Sequence, residues 1–127
     1  MTPSGPPARV LVVDDDVPVL ETLCDLIADL GHESVPAAGG REALALLAAR
    51  PYDVVITDLF MPEMNGLELI RHLRELSPEI PVILLTATAT PEVVTVLRAT
   101  NILCLRKPVD LVELAAAIRQ RLPDPRG

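Results

Sequence analysis

Five short apolar runs, separated by segments of helical period, constrain what this chain can become more than any other feature. They cover residues 9–13, 33–36, 53–57, 81–86 and 103–105, and all but the second are nearly continuous Val, Ile and Leu. Uninterrupted apolar character over so few residues suits strands covered on both faces, and strands that alternate with helices close into a parallel sheet. The intervening segments carry their own punctuation. Pro18 suits a first helical turn, Leu20, Leu23, Ile27 and Leu30 recur at three and four residues, and Gly31 supplies a left-handed stop. A second helix spans 41–49 and ends before Pro51, because the residue preceding proline avoids helical geometry. Asn65 with Glu68 and Asp110 with Glu113 make capping-box patterns for two more helices, one carrying Leu67, Ile70, Leu73 and Leu76, the other Leu114, Ile118 and Leu122. A fourth helix, at 91–99, makes five. The expectation is an α/β, doubly wound, five-stranded parallel sheet with five helices.

The 127 residues form one domain, of which 50% hydrophobic content supplies the core. Residues 9–122 are expected to fold, and the proline-rich 1–8 and 123–127 to be disordered tails. One Tyr and one Phe leave no stacking platform for bases, and 18 acidic against 11 basic residues leave a charge of −7 that repels phosphate backbones. Nucleic-acid binding is therefore not expected. No apolar run approaches the roughly 20 residues of a membrane-spanning helix, and the start has prolines where a secretory signal needs an apolar segment. A soluble, cytoplasmic location is expected. Cys24 and Cys104 have neither CxxC spacing nor nearby histidines, so they read as ordinary thiols of a reducing compartment.

In a doubly wound sheet, polar groups at the carboxyl ends of the strands converge on one crevice. The first strand ends in Asp14, Asp15 and Asp16, the third in Asp58 and the fourth in Thr86; the fifth is followed by Lys107, the only lysine in the chain. Carboxylates brought together repel, and each resists ionisation unless a cation offsets them. Asp14, Asp15 and Asp58 offer hard oxygen donors without histidine or thiolate, a set that suits Mg²⁺ rather than zinc or a redox metal. A carboxylate beside Mg²⁺ can act as the nucleophile that forms an aspartyl phosphate, with Lys107 and the Thr86 hydroxyl offsetting charge on the phosphoryl oxygens.

The matching segments are Val12-Val13-Asp14-Asp15-Asp16, the stretch from Thr57 through Asp58 to Gly66, Leu85-Thr86-Ala87 and Lys107-Pro108. Together and in this order, they make the chain resemble the receiver domain of two-component response regulators from about Arg9 to Leu122. The resemblance implies a flavodoxin-like receiver fold with strand order 2-1-3-4-5. It implies that a sensor histidine kinase or a histidine phosphotransfer protein phosphorylates Asp58, and that Asp14, Asp15, Asp58 and the backbone carbonyl of Phe60 hold Mg²⁺. Thr86 and Lys107 would bind the phosphoryl group, and the Lys107-Pro108 bond would be cis. It also implies a switch in the face made by the fourth helix, fifth strand and fifth helix, through which a homodimer could form. Such a chain is a signalling phosphoacceptor and not an enzyme in the ordinary sense.

Two positions depart from the family pattern. Cys104 stands where Tyr or Phe is usual, three residues before the lysine, and Val109 replaces the aromatic after the lysine-proline pair. Cys104 and the altered fourth helix favour an alternative, a degenerate receiver whose protein-binding surface is independent of phosphorylation, which the intact acidic cluster and Lys107 oppose. Val93, Val94, Val96 and Leu97 crowd the fourth helix more than one buried face needs, which fits a dimer or partner surface or a deeply buried helix. A phosphatase with its nucleophile at Asp14 is disfavoured, since the Asp14-x-Asp16 spacing is its only support. Asp16 is expected to start the first helix rather than bind metal. His32 and His72 read as surface residues, and Gly39-Gly40 as a turn and helix start.

Overall fold

A computed structural model describes residues 7–87, 90–91, 95 and 102–121. The elements run β1 (Arg9–Val13), α1 (Val17–Asp29), β2 (Glu33–Ala37), α2 (Gly40–Ala49), β3 (Val54–Asp58), α3 (Gly66–Leu76), β4 (Val82–Thr86), β5 (Ile102–Arg106) and α4 (Leu111–Arg121). The strands form one parallel sheet in the order β2-β1-β3-β4-β5, the expected 2-1-3-4-5. Four helices lie among the described residues. The helix expected at 91–99, with its four crowded apolar residues, falls largely outside them, as do residues 1–6 of the first expected tail and the whole of the second.

Period-two alternation divides each central strand between two cores. Val10 and Val12 of β1, Val54 and Ile56 of β3, and Ile83 and Leu85 of β4 pack with Leu20, Leu23 and Ile27 of α1 and Leu114, Ala117 and Ile118 of α4. Their neighbours Leu11, Val13, Val55, Val82 and Leu84 turn to the other face, against Ala43 of α2 and Leu69, Ile70 and Leu73 of α3. Each fully buried side chain of this kind contributes about 1.5–3 kcal/mol relative to exposure. The helices are thereby clamped to both faces, and the strand ends keep a fixed register.

The caps match the sequence patterns. Asp16 accepts the Val19 N–H at 3.4 Å and starts α1, Gly31 takes φ 93° beyond its end, and Asn65 and Glu68 form a complete capping box for α3. Asp110 accepts N–H groups from Val112 and Glu113 at the start of α4. Strand β2 tolerates Pro36 because it lies at the sheet edge, where a missing N–H breaks no ladder on its outer side.

Two expectations need correction. His72 is exposed, but His32 is half-buried, and its Nδ1 accepts the backbone N–H of Ala8 at 3.1 Å. Ala8, expected in the tail, is itself buried. The contact joins residues 24 apart, so spacing along the chain could not disclose it. Burial lowers the His32 imidazole below its ordinary 6.5, against a smaller upward pull from Asp53. A lowered histidine contributes stability that is present above the unfolded value and lost as pH falls through the folded one. Acidification through that window is expected to cost on the order of 1 kcal/mol, the worth of one hydrogen bond. Urea midpoints measured across the window should show this loss in the parent chain and a flatter profile in His32→Gln; identical profiles would remove His32 as the cause.

Candidate functional site

Strand register assembles the site from four separate segments. Val13 pairs with Thr57, so the next residues, Asp14 and Asp58, emerge side by side from adjacent strands. Asp58 in turn pairs with Leu85, placing Thr86 one residue beyond it, and Thr86 pairs with Arg106, placing Lys107 next. The Lys107 N–H donates to the Thr86 carbonyl at 2.9 Å, and the Lys107-Pro108 bond is cis. Neighbouring strands lie about 4.8 Å apart, so side chains at these ends fall within reach of one another.

The side chains converge accordingly. Lys107 Nζ lies 3.1 Å from Asp58 Oδ2 and 3.6 Å from Asp14 Oδ2. One carboxylate oxygen from each of Asp14, Asp15 and Asp58 can be chosen so that all three lie within 4.8 Å of one another. Asp14 and Asp58 are buried and Asp15 is exposed, so the cluster opens to solvent on one side. Thr86 is buried at the end of β4. Asp16 does not join the trio and serves α1 as its N-cap, as expected.

Burial pushes the Asp14 carboxyl above its ordinary 3.8, and the charges of Asp58 and Asp15 push the same way. The hydrogen bond from the Asp16 N–H, 2.9 Å to Asp14 Oδ1, and the charge of Lys107 oppose them without prevailing. Asp14 Oδ2 is buried and accepts no hydrogen bond among the described residues. A buried, unsatisfied carboxylate oxygen facing two further carboxylates fits a hard divalent cation. Among the described residues no histidine or cysteine joins this cluster, so its donors suit Mg²⁺ and not a thiolate-seeking metal.

The loop after β3 carries Phe60, whose side chain is 59% exposed between buried Leu59 and Met61. Two anchors hold this loop. The Gly66 N–H donates to the Leu59 carbonyl at 2.7 Å, and a Cβ built on Gly66 would stand 2.5 Å from the Asp58 carbonyl oxygen. Glycine is needed there for close approach, a role the Asn65-Gly66 capping pattern does not disclose. Glycine at the first position of a helix, where most residues are better formers, is the signal that could have pointed to it.

Beside the cluster runs a groove of about 360 Å³ lined by Pro18, Leu23 and Leu26 of α1 together with Lys107, Pro108 and Val109. Cys104 is half-buried and packs against the core on the α2–α3 face, and burial raises its thiol above the ordinary value. No helix among the described residues is long and apolar enough to cross a membrane.

The family model for the response regulator receiver domain matches residues 10–119. Response regulator MprA of Mycolicibacterium vanbaalenii is 41% identical over 117 residues, which cover 91% of this chain and 51% of that protein. Transcriptional regulatory protein GlrR of Escherichia coli is 38% identical over 120 residues, 94% of this chain and 27% of that protein. The chain thus spans about half the length of one relative and about a quarter of the other. Among solved structures, chemotaxis protein CheY4 of Vibrio cholerae superposes with a TM-score of 0.84 at 30% identity, covering 92% of this chain and all of that one.

Proposed function

The chain belongs to the response regulator receiver domain family, and on that premise we propose that Asp58 is a phosphoacceptor, loaded by a histidine kinase or histidine phosphotransfer protein with Mg²⁺ at Asp14, Asp15, Asp58 and the Phe60 carbonyl. The observation that carries this reading is the meeting of Lys107 Nζ with Asp58 at 3.1 Å and Asp14 at 3.6 Å. The chain's single lysine thus stands where charge on a transferred group would need offsetting.

In this reading an Asp58 carboxylate oxygen attacks the phosphorus of a phosphoimidazole. The new O–P bond forms as the N–P bond breaks, and the electron pair of the broken bond leaves on the imidazole nitrogen. Such transfers ask a protein for in-line placement and charge neutralisation more than for covalent chemistry. A bound Mg²⁺ would supply much of that neutralisation, as a Lewis acid on phosphoryl oxygens. Lys107 acts as a point charge on the same group, and Thr86, buried at the neighbouring strand end, offers a hydroxyl. The apolar groove beside Lys107 gives the donor protein a surface to rest on while its phosphoimidazole reaches Asp58. The chain turns over no substrate of its own beyond accepting and slowly hydrolysing the phosphoryl group, and it works in the cytoplasm. With Cys104 in the usual aromatic position, the response to phosphorylation rests on Thr86 and the segment that follows it.

Incubation with Mg²⁺ and a small phosphodonor such as acetyl phosphate is expected to add one phosphoryl group to the intact mass. Chelating the metal should suppress the adduct. No adduct under saturating donor and metal would refute the phosphoacceptor reading.

A further inference from the structure

Gly40, the first residue of α2, is buried, and Met64 of the β3–α3 loop lies directly over it. A Cβ added at position 40 would stand 2.7 Å from Met64 Sδ and 3.0 Å from both its Cβ and its Cγ. The sulfur belongs to a flexible side chain that could swing aside. The Met64 Cβ is fixed to the backbone and could move only with the loop.

That loop is strained at the same point. Glu63 has φ 68°, and the Met64 N–H donates to the Pro62 carbonyl at 2.7 Å, which closes a γ-turn in its rarer positive-φ form. A strained turn persists only where its surroundings over-determine it. Arg41 and Glu63 are too exposed to do this, with side chains 82% and 74% accessible and a separation of 3.8 Å. The contact that can is Met64 seated on Gly40, with the capping box of Asn65 just behind it. It forms part of the wall of a cleft of about 310 Å³ that also includes Asp15, Pro62 and Glu63.

We infer that Gly40 and Met64 are positioning residues for the metal site: their contact holds the strained Pro62–Glu63–Met64 turn and, through it, the loop that carries the Phe60 carbonyl. This rests on the proposed reading of Asp14, Asp15, Asp58 and Phe60 as the Mg²⁺ ligands. Gly40 therefore does more than start a helix. By helix propensity alone, alanine at this position should be the better residue.

The test is calorimetric titration of Mg²⁺ into the metal-free chain, with urea unfolding measured in parallel. Gly40→Ala is expected to raise the Mg²⁺ dissociation constant on the order of tenfold, the lower end of what outer supports of metal ligands contribute. The metal-free urea midpoint should stay at or above that of the parent. Met64→Ala removes most of the clashing atoms along with the support, so it should weaken binding more mildly. Adding Gly40→Ala to Met64→Ala should then cost little further, so the two effects fall short of additivity. Parent-like affinity in both single variants, or strictly additive losses, would overturn the inference and leave the metal site intact. A parent chain that takes up no Mg²⁺ would instead overturn the metal assignment itself, and the inference with it.

Discussion

Asp58→Asn is expected to abolish phosphoryl uptake, with the rate of adduct formation falling on the order of a thousandfold or more, as when an enzyme loses its nucleophile. An amide matches the carboxylate in shape but lacks the anionic oxygen that attacks phosphorus. The fold should survive, because the backbone of Asp58 completes β3 and its side chain lies at the rim of the cores rather than within them. Time-resolved intact mass with a small phosphodonor reads the result. An adduct forming at the parent rate would place the acceptor elsewhere, with Asp14 and Asp15 the first alternatives.

Asp14→Asn should act in two directions at once. Without metal, Asp14 is a buried carboxylate with one unsatisfied oxygen, 1% exposed and crowded by Asp58 and Asp15. A neutral residue of the same shape escapes the cost of burying that charge and its repulsion from Asp58 and Asp15, and a gain of about 1 kcal/mol is expected, since some attraction to Lys107 is lost. Lys107 keeps its shorter contact, 3.1 Å to Asp58. With metal the order reverses. A parent chain at a hundred times its Mg²⁺ dissociation constant gains about 2.7 kcal/mol, and the variant should gain little of this. Urea midpoints with and without Mg²⁺ give both numbers. A variant that keeps the parent's metal response, or is the weaker of the two without metal, would contradict the ligand role of Asp14.

The same carboxylate sets a pH dependence of the metal-free chain. Its folded value is raised above the ordinary 3.8, so its contribution to stability is complete below that value and is lost as pH rises through the folded one. Metal-free parent protein should therefore lose stability as pH rises through that window, by a term that Asp14→Asn lacks. His32 runs the opposite way because its value is lowered.

The fold was legible because it is written in local periods. Val, Ile and Leu runs gave four strands within a residue or two of their ends, and the Asn65–Glu68 pattern gave the start of α3 with its capping box complete. The second strand, weaker in composition, still pairs along its length with β1. The site was legible for a related reason, since its acids and its lysine sit at strand ends, where a parallel sheet must gather them.

The spacing of residues along this chain, together with four short segments shared with a known family, thus determined the sheet, its helices and the identity of the clustered groups. Only the tertiary structure decided that Lys107 sits nearer Asp58 than Asp14, that Gly66 is needed for its closeness to the Asp58 carbonyl, that Met64 rests on Gly40, and that His32 holds Ala8. All but the Gly66 contact join segments far apart in the chain, and each is set to within tenths of an ångström by how the elements around it pack. Periodicity shows which face a residue takes; it carries no information about which atom waits on the other side.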